Sequence, residues 1–360
     1  MKIPGMVVRA PGAAATLEEV TLDPPGPGEV LVRLLATGVC HSDLHAKLGN
    51  FGTEFPYLLG HEATGVVEQV GDGVTRPAVG DTVMLNWRAP CGTCRYCVVG
   101  NPVYCLKPES ARTRTRTGDG KVLGRILGLS AFCTHTVVAA GQALAVSAEL
   151  SPAATALIGC GVATGVGAVL NTARVRPGAT VAVFGCGAVG VSVIQGARLA
   201  HASRIFAVDL VPRKLEWARS FGATDVIDAS QSDPAKAIRS ATGGGVTHAF
   251  EAVGLPQTVA QALASCELGG ECVIIGVPNP KAEVTLSLSR LFFSRVTVRS
   301  SHYGDCLPAR DFPLYTELYR SGALQLDQLV SQRIRLDDLE SAFTAMSQGE
   351  VLRSVIDFSL

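Results

Sequence analysis

The sequence predicts an α/β protein in two parts, a β-rich domain with a compact barrel followed by a doubly wound parallel sheet. Up to about residue 160 the chain is rich in Val, Gly and turn residues, which favours short strands. From about residue 162, apolar strand-like segments alternate with helical ones, which is typical of a parallel sheet with helices on both faces. A length of 360 residues is consistent with two domains.

In the first part, the strands are predicted by Val-rich segments at 30–39, 63–71 and 81–85. Pro-Gly-Pro-Gly-Glu at 25–29 and Pro-Ala-Val-Gly-Asp at 77–81 predict turns between strands. Short strands joined by glycine turns favour the compact barrel.

In the second part, six strands are predicted, at 180–184, 204–209, 225–228, 248–254, 272–277 and 296–301. Helices are predicted after the first strand and over 212–221, so the strands have helical crossovers. The stretch from 303 onward contains an amphipathic helix at 337–346 and a strand at 354–358.

Charge and hydropathy exclude several partners. The 31 Lys and Arg balance the 31 Asp and Glu, so no overall field favours nucleic acid or an anionic membrane surface. No apolar stretch reaches the ~20 residues of a membrane span, and we expect a soluble, cytoplasmic protein. The basic run Arg-Thr-Arg-Thr-Arg-Thr at 112–117 is interpreted as a solvated loop, with guidance of an anionic substrate as the alternative.

Four closely spaced cysteines predict a structural zinc site in a lobe at 88–108: Cys91, Cys94, Cys97 and Cys105. Four thiolates form a tetrahedral cage with no open position, which is typical of structural zinc. A disulfide cluster is the alternative, but the N-terminus does not resemble a signal peptide. The cysteines outside the predicted zinc sites are expected to be free thiols: Cys133, Cys186, Cys266, Cys272 and Cys306.

A second metal site is predicted from three dispersed residues, Cys40, His61 and Cys160. Two thiolates and one imidazole leave a fourth zinc position open, where a substrate oxygen can bind. Each residue alone has another explanation, since free cysteines are commonly buried as small hydrophobic residues.

A glycine-rich turn predicts a dinucleotide site. Gly185, Gly187 and Gly190 follow an apolar strand and precede a helix, the context in which this motif binds a pyrophosphate. Asp209 ends the next strand, where a carboxylate accepts hydrogen bonds from ribose hydroxyls and repels a 2′-phosphate. This favours NAD over NADP, although the nearby Arg213 and Lys214 leave NADP open.

These motifs, in this order, resemble the zinc-dependent medium-chain alcohol dehydrogenases, and the resemblance covers essentially the whole chain. It rests on Gly-Val-Cys-His-Ser-Asp, Gly-His-Glu, the four-cysteine lobe, Leu-Ile-Gly-Cys-Gly and the glycine turn. Other segments, such as Gly-Glu-Val-Leu-Arg-Ser-Val-Ile, look most like the class III-like actinobacterial branch that includes mycothiol-dependent formaldehyde dehydrogenase. The resemblance implies a Rossmann domain at 162–302 and a discontinuous GroES-like catalytic domain at 1–161 and 303–360.

The resemblance also implies roles for single residues. Ser42 and His45 match the family's proton relay, in which the substrate proton passes through Ser42 and the cofactor ribose to His45. His41 and Arg353 match pyrophosphate contacts, and Lys214 a ribose contact. For His45 and Lys214, an ordinary solvated side chain is the alternative, and for His41 a ring that covers the cofactor without charge.

Further site residues are expected around the open metal. Asp43 is expected to orient His61, and Glu62 to assist ligand exchange at the zinc. Trp87 matches a position that lines the substrate channel, with core packing as the alternative, and Glu54 is a candidate contact for the amine of a thiol adduct. The anion-binding arginine of the formaldehyde branch has no unique counterpart among Arg112, Arg114 and Arg116.

The resulting expectation is a cytoplasmic, NAD-dependent primary alcohol dehydrogenase with one catalytic and one structural Zn²⁺ per chain. It would act on small alcohols and aldehydes, without nucleic acid or membrane, as a homodimer or homotetramer. One alternative is an S-(hydroxymethyl)mycothiol dehydrogenase, and a remote one is a nucleotide-binding relative without catalysis.

Overall fold

The computed structural model describes residues 1–52 and 54–360. By their internal contacts these residues form two compact units. Unit 1 comprises Met1–Cys160 and Leu307–Leu360, and unit 2 comprises Gly161–Cys306.

Unit 1 is rich in short strands and contains few long helices. Its strands are β1 Lys2–Val8, β2 Thr16–Leu22, β3 Glu29–Gly38, β4 Tyr57–Leu58, β5 Glu62–Val70, β6 Thr82–Leu85, β7 Thr115–Arg116, β8 His135–Ala139 and β9 Ala143–Ala145, followed much later by β16 Val330–Ile334 and β17 Arg353–Asp357. Its helices are α1 His41–Lys47, α2 Arg95–Val98, α3 Pro152–Ala156, α10 Pro308–Arg320 and α11 Leu339–Ser347.

Two sheets make up unit 1. One has the order β4-β1-β2-β7, and the other has the order β16-β17-β3-β5-β6-β9, with β8 also paired to β3. Residues of both sheets share one apolar core, which includes Val7, Val20, Val32 and Val67. The strand β17 pairs antiparallel with β3, with Val355 opposite Gly38. This pairing attaches the segment after residue 306 to the first strands of the chain.

Unit 2 contains strands that alternate with helices. Its strands are β10 Thr180–Phe184, β11 Arg204–Asp209, β12 Asp225–Asp228, β13 Val246–Glu251, β14 Cys266–Ile274 and β15 Thr297–Ser300. Its helices are α4 Gly161–Gly167, α5 Ala188–Leu199, α6 Pro212–Ser220, α7 Pro234–Thr242, α8 Pro256–Ser265 and α9 Leu288–Ser294, and α4 continues as a π-helix at Ala168–Ala173.

The six strands of unit 2 form one parallel sheet with the order β12-β11-β10-β13-β14-β15. The order reverses direction between β10 and β13, which is the topological switch point where such sheets bind dinucleotides. The predicted doubly wound parallel sheet is therefore confirmed. Two strands were predicted to begin too late, since β14 begins at Cys266 and not at residue 272, and β13 begins at Val246 and not at residue 248.

Helix starts in unit 2 follow from local chemistry. Pro212, Pro234 and Pro256 each stand in the first turn of α6, α7 and α8, where proline's missing N–H costs no hydrogen bond. In α7 the N-cap Asp233 also accepts hydrogen bonds from the backbone N–H groups of Ala235 and Lys236.

Among the described residues, no single helix combines the length and apolar composition needed to cross a membrane. By length and composition alone, one broken pair of helical segments does so, Pro152–Gly159 with Gly161–Ala173.

Candidate functional site

Three of the predicted metal ligands come together in unit 1. Cys40 is the N-cap of α1, His61 immediately precedes β5, and Cys160 follows a 3₁₀ turn at Leu157–Gly159. With Glu62, their ligand atoms all lie within 4.8 Å of one another, and all four residues are buried. The chain thus brings two thiols, one imidazole and one carboxylate to a single point.

His61 has the hydrogen bonding of a metal ligand. Its Nδ1 lies 3.0 Å from Asp43 Oδ1, so the N–H is on Nδ1 and the lone pair is on Nε2. Nε2 is buried and has no hydrogen-bond partner among the described residues. A buried nitrogen without a partner is costly unless an ion or ligand binds it. The cluster therefore fits a zinc ion.

Asp43 holds three parts of this cluster together. Besides binding His61, its carboxylate accepts the backbone N–H of Gly60 at 3.0 Å and that of Cys40 at 3.2 Å. The carboxylate is fully buried, so these hydrogen bonds replace its hydration. Asp43 therefore fixes the imidazole and the backbone next to two candidate ligands.

Glu62 and Arg353 form a buried ion pair beside the ligands. Arg353 Nη2 lies 3.2 Å from Glu62 Oε1, at a distance that suits an ion pair but without hydrogen-bond geometry. Arg353 Nη1 also donates to the carbonyl of Val39 at 2.9 Å. Burial, opposed by the Arg353 charge, raises the pKa of Glu62 to about 8.

The position of Arg353 depends on the strand pairing in unit 1. Arg353 is the first residue of β17, and Glu62 is the first residue of β5. Both strands pair with β3, which brings the two residues close together. Sequence reasoning placed Arg353 at a pyrophosphate and did not find this partner. The pyrophosphate contact stays a prediction, because the side chain is only 4% exposed in the structure.

Gly38 is a site residue that sequence reasoning missed. A Cβ at this position would overlap Glu62 Oε2 and would lie 3.0 Å from Leu157 Cδ2. Any side chain here would therefore displace the carboxylate from the cluster. Because Gly38 looks like an ordinary strand residue, the sequence carries no signal for this role.

The four cysteines of the lobe also converge. Cys91 Sγ is 3.5 Å from Cys105 Sγ, and Cys94 Sγ is 3.5 Å from Cys97 Sγ and 4.0 Å from Cys105 Sγ. A tetrahedral zinc with Zn–S bonds of about 2.3 Å requires S···S distances of roughly 3.8 Å. A disulfide has an S–S bond of about 2.05 Å, so the lobe fits zinc and not the disulfide alternative.

The glycine turn of unit 2 has the geometry of a dinucleotide site. Gly185 has φ +91°, which favours glycine, and a Cβ on Gly190 would overlap the carbonyl oxygen of Gly185. Gly187 is the N-cap of α5, and a Cβ on it would meet no atom within 4 Å. The turn therefore leaves open space at a helix N-terminus, where a pyrophosphate fits.

Asp209 is tied to this turn. Its Oδ2 accepts the backbone N–H of Cys186 at 2.7 Å, and its Oδ1 accepts that of Val211 at 3.0 Å. These bonds fix the carboxylate at the end of β11, beside the glycine turn. Lys214 is half-buried on α6, and the exposed Arg213 lies over the ring of Trp217 with its guanidinium carbon 5.1 Å from the centroid.

Comparisons with known proteins agree with this geometry. The chain matches the models "Alcohol dehydrogenase GroES-like domain" at residues 26–148 and "Zinc-binding dehydrogenase" at residues 188–321. It is 38% identical to S-(hydroxymethyl)glutathione dehydrogenase of Escherichia coli O1:K1, over 99% of this chain and 100% of that protein. The chain belongs to the zinc-dependent medium-chain alcohol dehydrogenase family.

Solved structures resemble this dehydrogenase along its length. Benzyl alcohol dehydrogenase from Acinetobacter calcoaceticus is 30% identical with a TM-score of 0.93, over 99% of both chains. A putative zinc-binding dehydrogenase from Sinorhizobium meliloti 1021, solved with NADP, is 26% identical with a TM-score of 0.83, over 99% of both chains. The predicted family, fold class and oxidoreductase class are confirmed, and zinc and NAD(P) are the cofactors of this family.

In this dehydrogenase the predicted relay residues share one helix. Ser42 and His45 stand three residues apart on α1, so their side chains lie on one face, and both are half-buried. His45 Nδ1 lies 3.0 Å from Asn50 Nδ2, and the ring is 5.8 Å from that of Phe51. His41 is exposed at the start of the helix. The relay and the cofactor contact stay predictions.

The predicted pocket residues of the dehydrogenase differ in burial. Trp87 is half-buried and packs against the apolar core of unit 1, whereas Glu54 is exposed. In the basic run, Arg114 donates to the carbonyl of Ala111 at 3.2 Å. Arg116 lies 3.7 Å from Asp23.

Proposed function

We propose that this protein oxidises primary alcohols to aldehydes, and reduces the aldehydes, with NAD and a zinc ion held by Cys40, His61 and Cys160. The observation that carries the proposal is the buried Nε2 of His61, which lacks a protein partner beside two thiols. Held by these ligands, a zinc ion would supply the Lewis acidity that lowers the pKa of an alcohol, and NAD would supply the hydride acceptor. A second zinc belongs, in this proposal, to the four cysteines of the lobe.

The side chains around the cluster orient the ligands and carry the proton. Asp43 orients His61, and the Glu62–Arg353 pair places a carboxylate beside the ligands. Ser42 takes up the proton of the substrate hydroxyl, since a serine hydroxyl both donates and accepts. His45, on the same face of α1, passes the proton toward water because one ring nitrogen can take up a proton while the other keeps its own.

The preference for NAD rests on Asp209. Its carboxylate is held at the end of β11 by two backbone N–H groups, beside the turn that suits a pyrophosphate. A fixed negative charge there repels a 2′-phosphate. The guanidinium of Arg213, in contrast, lies over Trp217.

The change Asp209→Ser is expected to shift the ratio of kcat/KM for NADP over NAD upward by at least about 10-fold, since removing the repulsion is worth more than ~1.4 kcal/mol. Steady-state kinetics with both cofactors measures the ratio, and Asp228→Ser, at the end of the neighbouring strand β12, is the matched control. An unchanged ratio would show that Arg213 or Lys214 governs the choice.

A second candidate function is oxidation of an S-(hydroxymethyl) thiol adduct. It is favoured by the 38% identity to a protein named for that activity with glutathione. Arg112, exposed in the basic run, and the exposed Glu54 are available for the charged groups of such a thiol. Mycothiol is the thiol that the sequence resemblance suggests.

NADH formation at 340 nm distinguishes the two functions. Zinc-replete protein is compared on primary aliphatic and aryl alcohols and on formaldehyde with mycothiol or glutathione. Turnover of the free alcohols, with formaldehyde plus thiol inert, supports the first function. Activity confined to formaldehyde plus a thiol overturns it in favour of the second, and inactivity on the whole panel counts against both.

We also propose that the chain forms a homodimer through unit 2, alone or within a homotetramer. The edge strand β15 is exposed along its length, and α9 has no buried residue. Leu288, Phe292 and Phe293 are 81%, 75% and 73% exposed, a large apolar patch for a lone chain. Light scattering measures the assembly, and Phe292→Ser with Phe293→Ser is expected to weaken it; an unchanged mass would refute the role of α9.

A further inference from the structure

The segment after α1 folds back onto His45. Asn50 N–H donates to the carbonyl of His45 at 2.9 Å, and Gly49 N–H donates to that of Ala46 at 2.9 Å. Gly49 has φ +82°, the left-handed conformation that completes a Schellman motif at the end of the helix. This motif places the side chain of Asn50 against that of His45.

The side-chain contact is polar where such motifs usually have an apolar one. Asn50 Nδ2 lies 3.0 Å from His45 Nδ1. With the amide nitrogen toward it, Nδ1 accepts the N–H, and the neutral ring then carries its proton on Nε2. Because an amide carries a donor and an acceptor on one carbon, a half-turn about its last torsion presents either atom to Nδ1.

We propose that Asn50 is a positioning residue for proton transfer at His45: its amide holds the ring through Nδ1 and, with its oxygen turned to Nδ1, sets the tautomer in which Nε2 accepts a proton. This inference rests on the proposed function, in which His45 takes up the substrate proton. In the accepting tautomer, Nδ1–H donates to the amide oxygen of Asn50. Nε2 then gains one proton and later releases it to water, while the Nδ1–H bond is kept throughout.

Two of the charged groups near this end of α1, Asp43 and Lys47, are already paired. Asp43 binds His61. Lys47 is 8% exposed and pairs with Glu340 of α11 at 2.5 Å, over the ring of Phe343. His41 stands one turn before His45, and Glu54 is exposed on the following loop. Among the described residues, the hydrogen bond that the fold gives the His45 ring is thus the one to Asn50, whose side chain is neutral.

The test compares Asn50→Leu and Asn50→Asp, each with and without His45→Gln, by the pH profile of kcat for alcohol oxidation. Asn50→Leu removes one hydrogen bond to the ring and should lower kcat about 5-fold with an unchanged KM for NAD. Asn50→Asp keeps an acceptor but favours the imidazolium, which is inactive as a base. The pH profile of kcat for Asn50→Asp should therefore move to higher pH by about one unit, and kcat should reach the wild-type value at pH values above the shifted midpoint.

The His45→Gln background decides between positioning and general structure. There, both Asn50 changes should have no further effect on kcat, as expected for residues that act as one unit. The role of Asn50 is overturned if the Asn50 changes lower kcat as much in the His45→Gln background as they do alone, or if the pH profile of Asn50→Asp does not move. If His45→Gln alone leaves kcat unchanged, the relay in the proposed function fails, which is a different result. Asn101→Leu, at an exposed asparagine of the lobe, is the control.

Discussion

A Cys160→Ser variant is expected to fold but to lose one of its two zinc ions and at least about 1000-fold in turnover. Cys160 is 8% exposed, and serine is nearly isosteric, so packing is kept. A serine hydroxyl is a much poorer zinc ligand than a thiolate, and losing the Lewis acid forfeits several kcal/mol of transition-state stabilisation. Metal analysis, circular dichroism and alcohol oxidation measure the three outcomes.

The control for this variant is Cys133→Ser. Cys133 is also buried, but its Sγ donates to the carbonyl of His135 at 3.0 Å, a bond that a serine hydroxyl can make. The control should keep both zinc ions and its turnover. Full turnover in Cys160→Ser would refute the ligand assignment, and loss of folding in both variants would show that thiol packing dominates.

A Cys97→Ser variant should instead lower thermal stability while leaving the open zinc site intact. Its Sγ lies 3.5 Å from that of Cys94, so the change removes one corner of the cage. Binding of a structural zinc contributes directly to folding free energy. Even ~4 kcal/mol of that energy corresponds to a fall in Tm of about 10 °C for a unit of this size.

Differential scanning calorimetry and zinc content per chain test this expectation. Thr93→Ala is the control, because it removes only the weak contact of a hydroxyl with Cys91 Sγ at 3.6 Å. The control should shift Tm by no more than about 2 °C. A Cys97→Ser melting curve that coincides with that of the unchanged protein would contradict zinc binding by the lobe.

The strands of unit 2 were the most predictable part of the fold. Residues 180–184, 204–209 and 225–228 are strands with the predicted bounds. The first two are short, mostly apolar runs between turns, as buried parallel strands usually are. The start of β14 was missed because it contains Gly269 and Gly270, which weaken any strand pattern. In unit 1, β1 was missed because Pro4 and Gly5 interrupt it; Gly5 is needed where a Cβ would lie 3.1 Å from Leu58.

For the site, local spacing was informative and long-range pairing was not. The four cysteines of the lobe lie within 15 positions of sequence, so their convergence could be predicted from spacing alone. The Glu62–Arg353 pair could not, because it depends on how β17 joins the sheet. Asn50 was also missed, because its contact with His45 depends on a helix end that only Gly49 signals.

The pairing of β17 with β3 affects how the protein is made. During translation, β3 leaves the ribosome roughly 300 residues before β17, which is about 15–60 s at ordinary rates of elongation. Unit 2 is synthesised within that interval and has all its strands before unit 1 does. Nascent unit 1 therefore exposes one edge of its sheet, without Arg353, until β17 has been made. We expect chaperone dependence and misfolding in cells to be concentrated in unit 1, even though it carries the metal ligands.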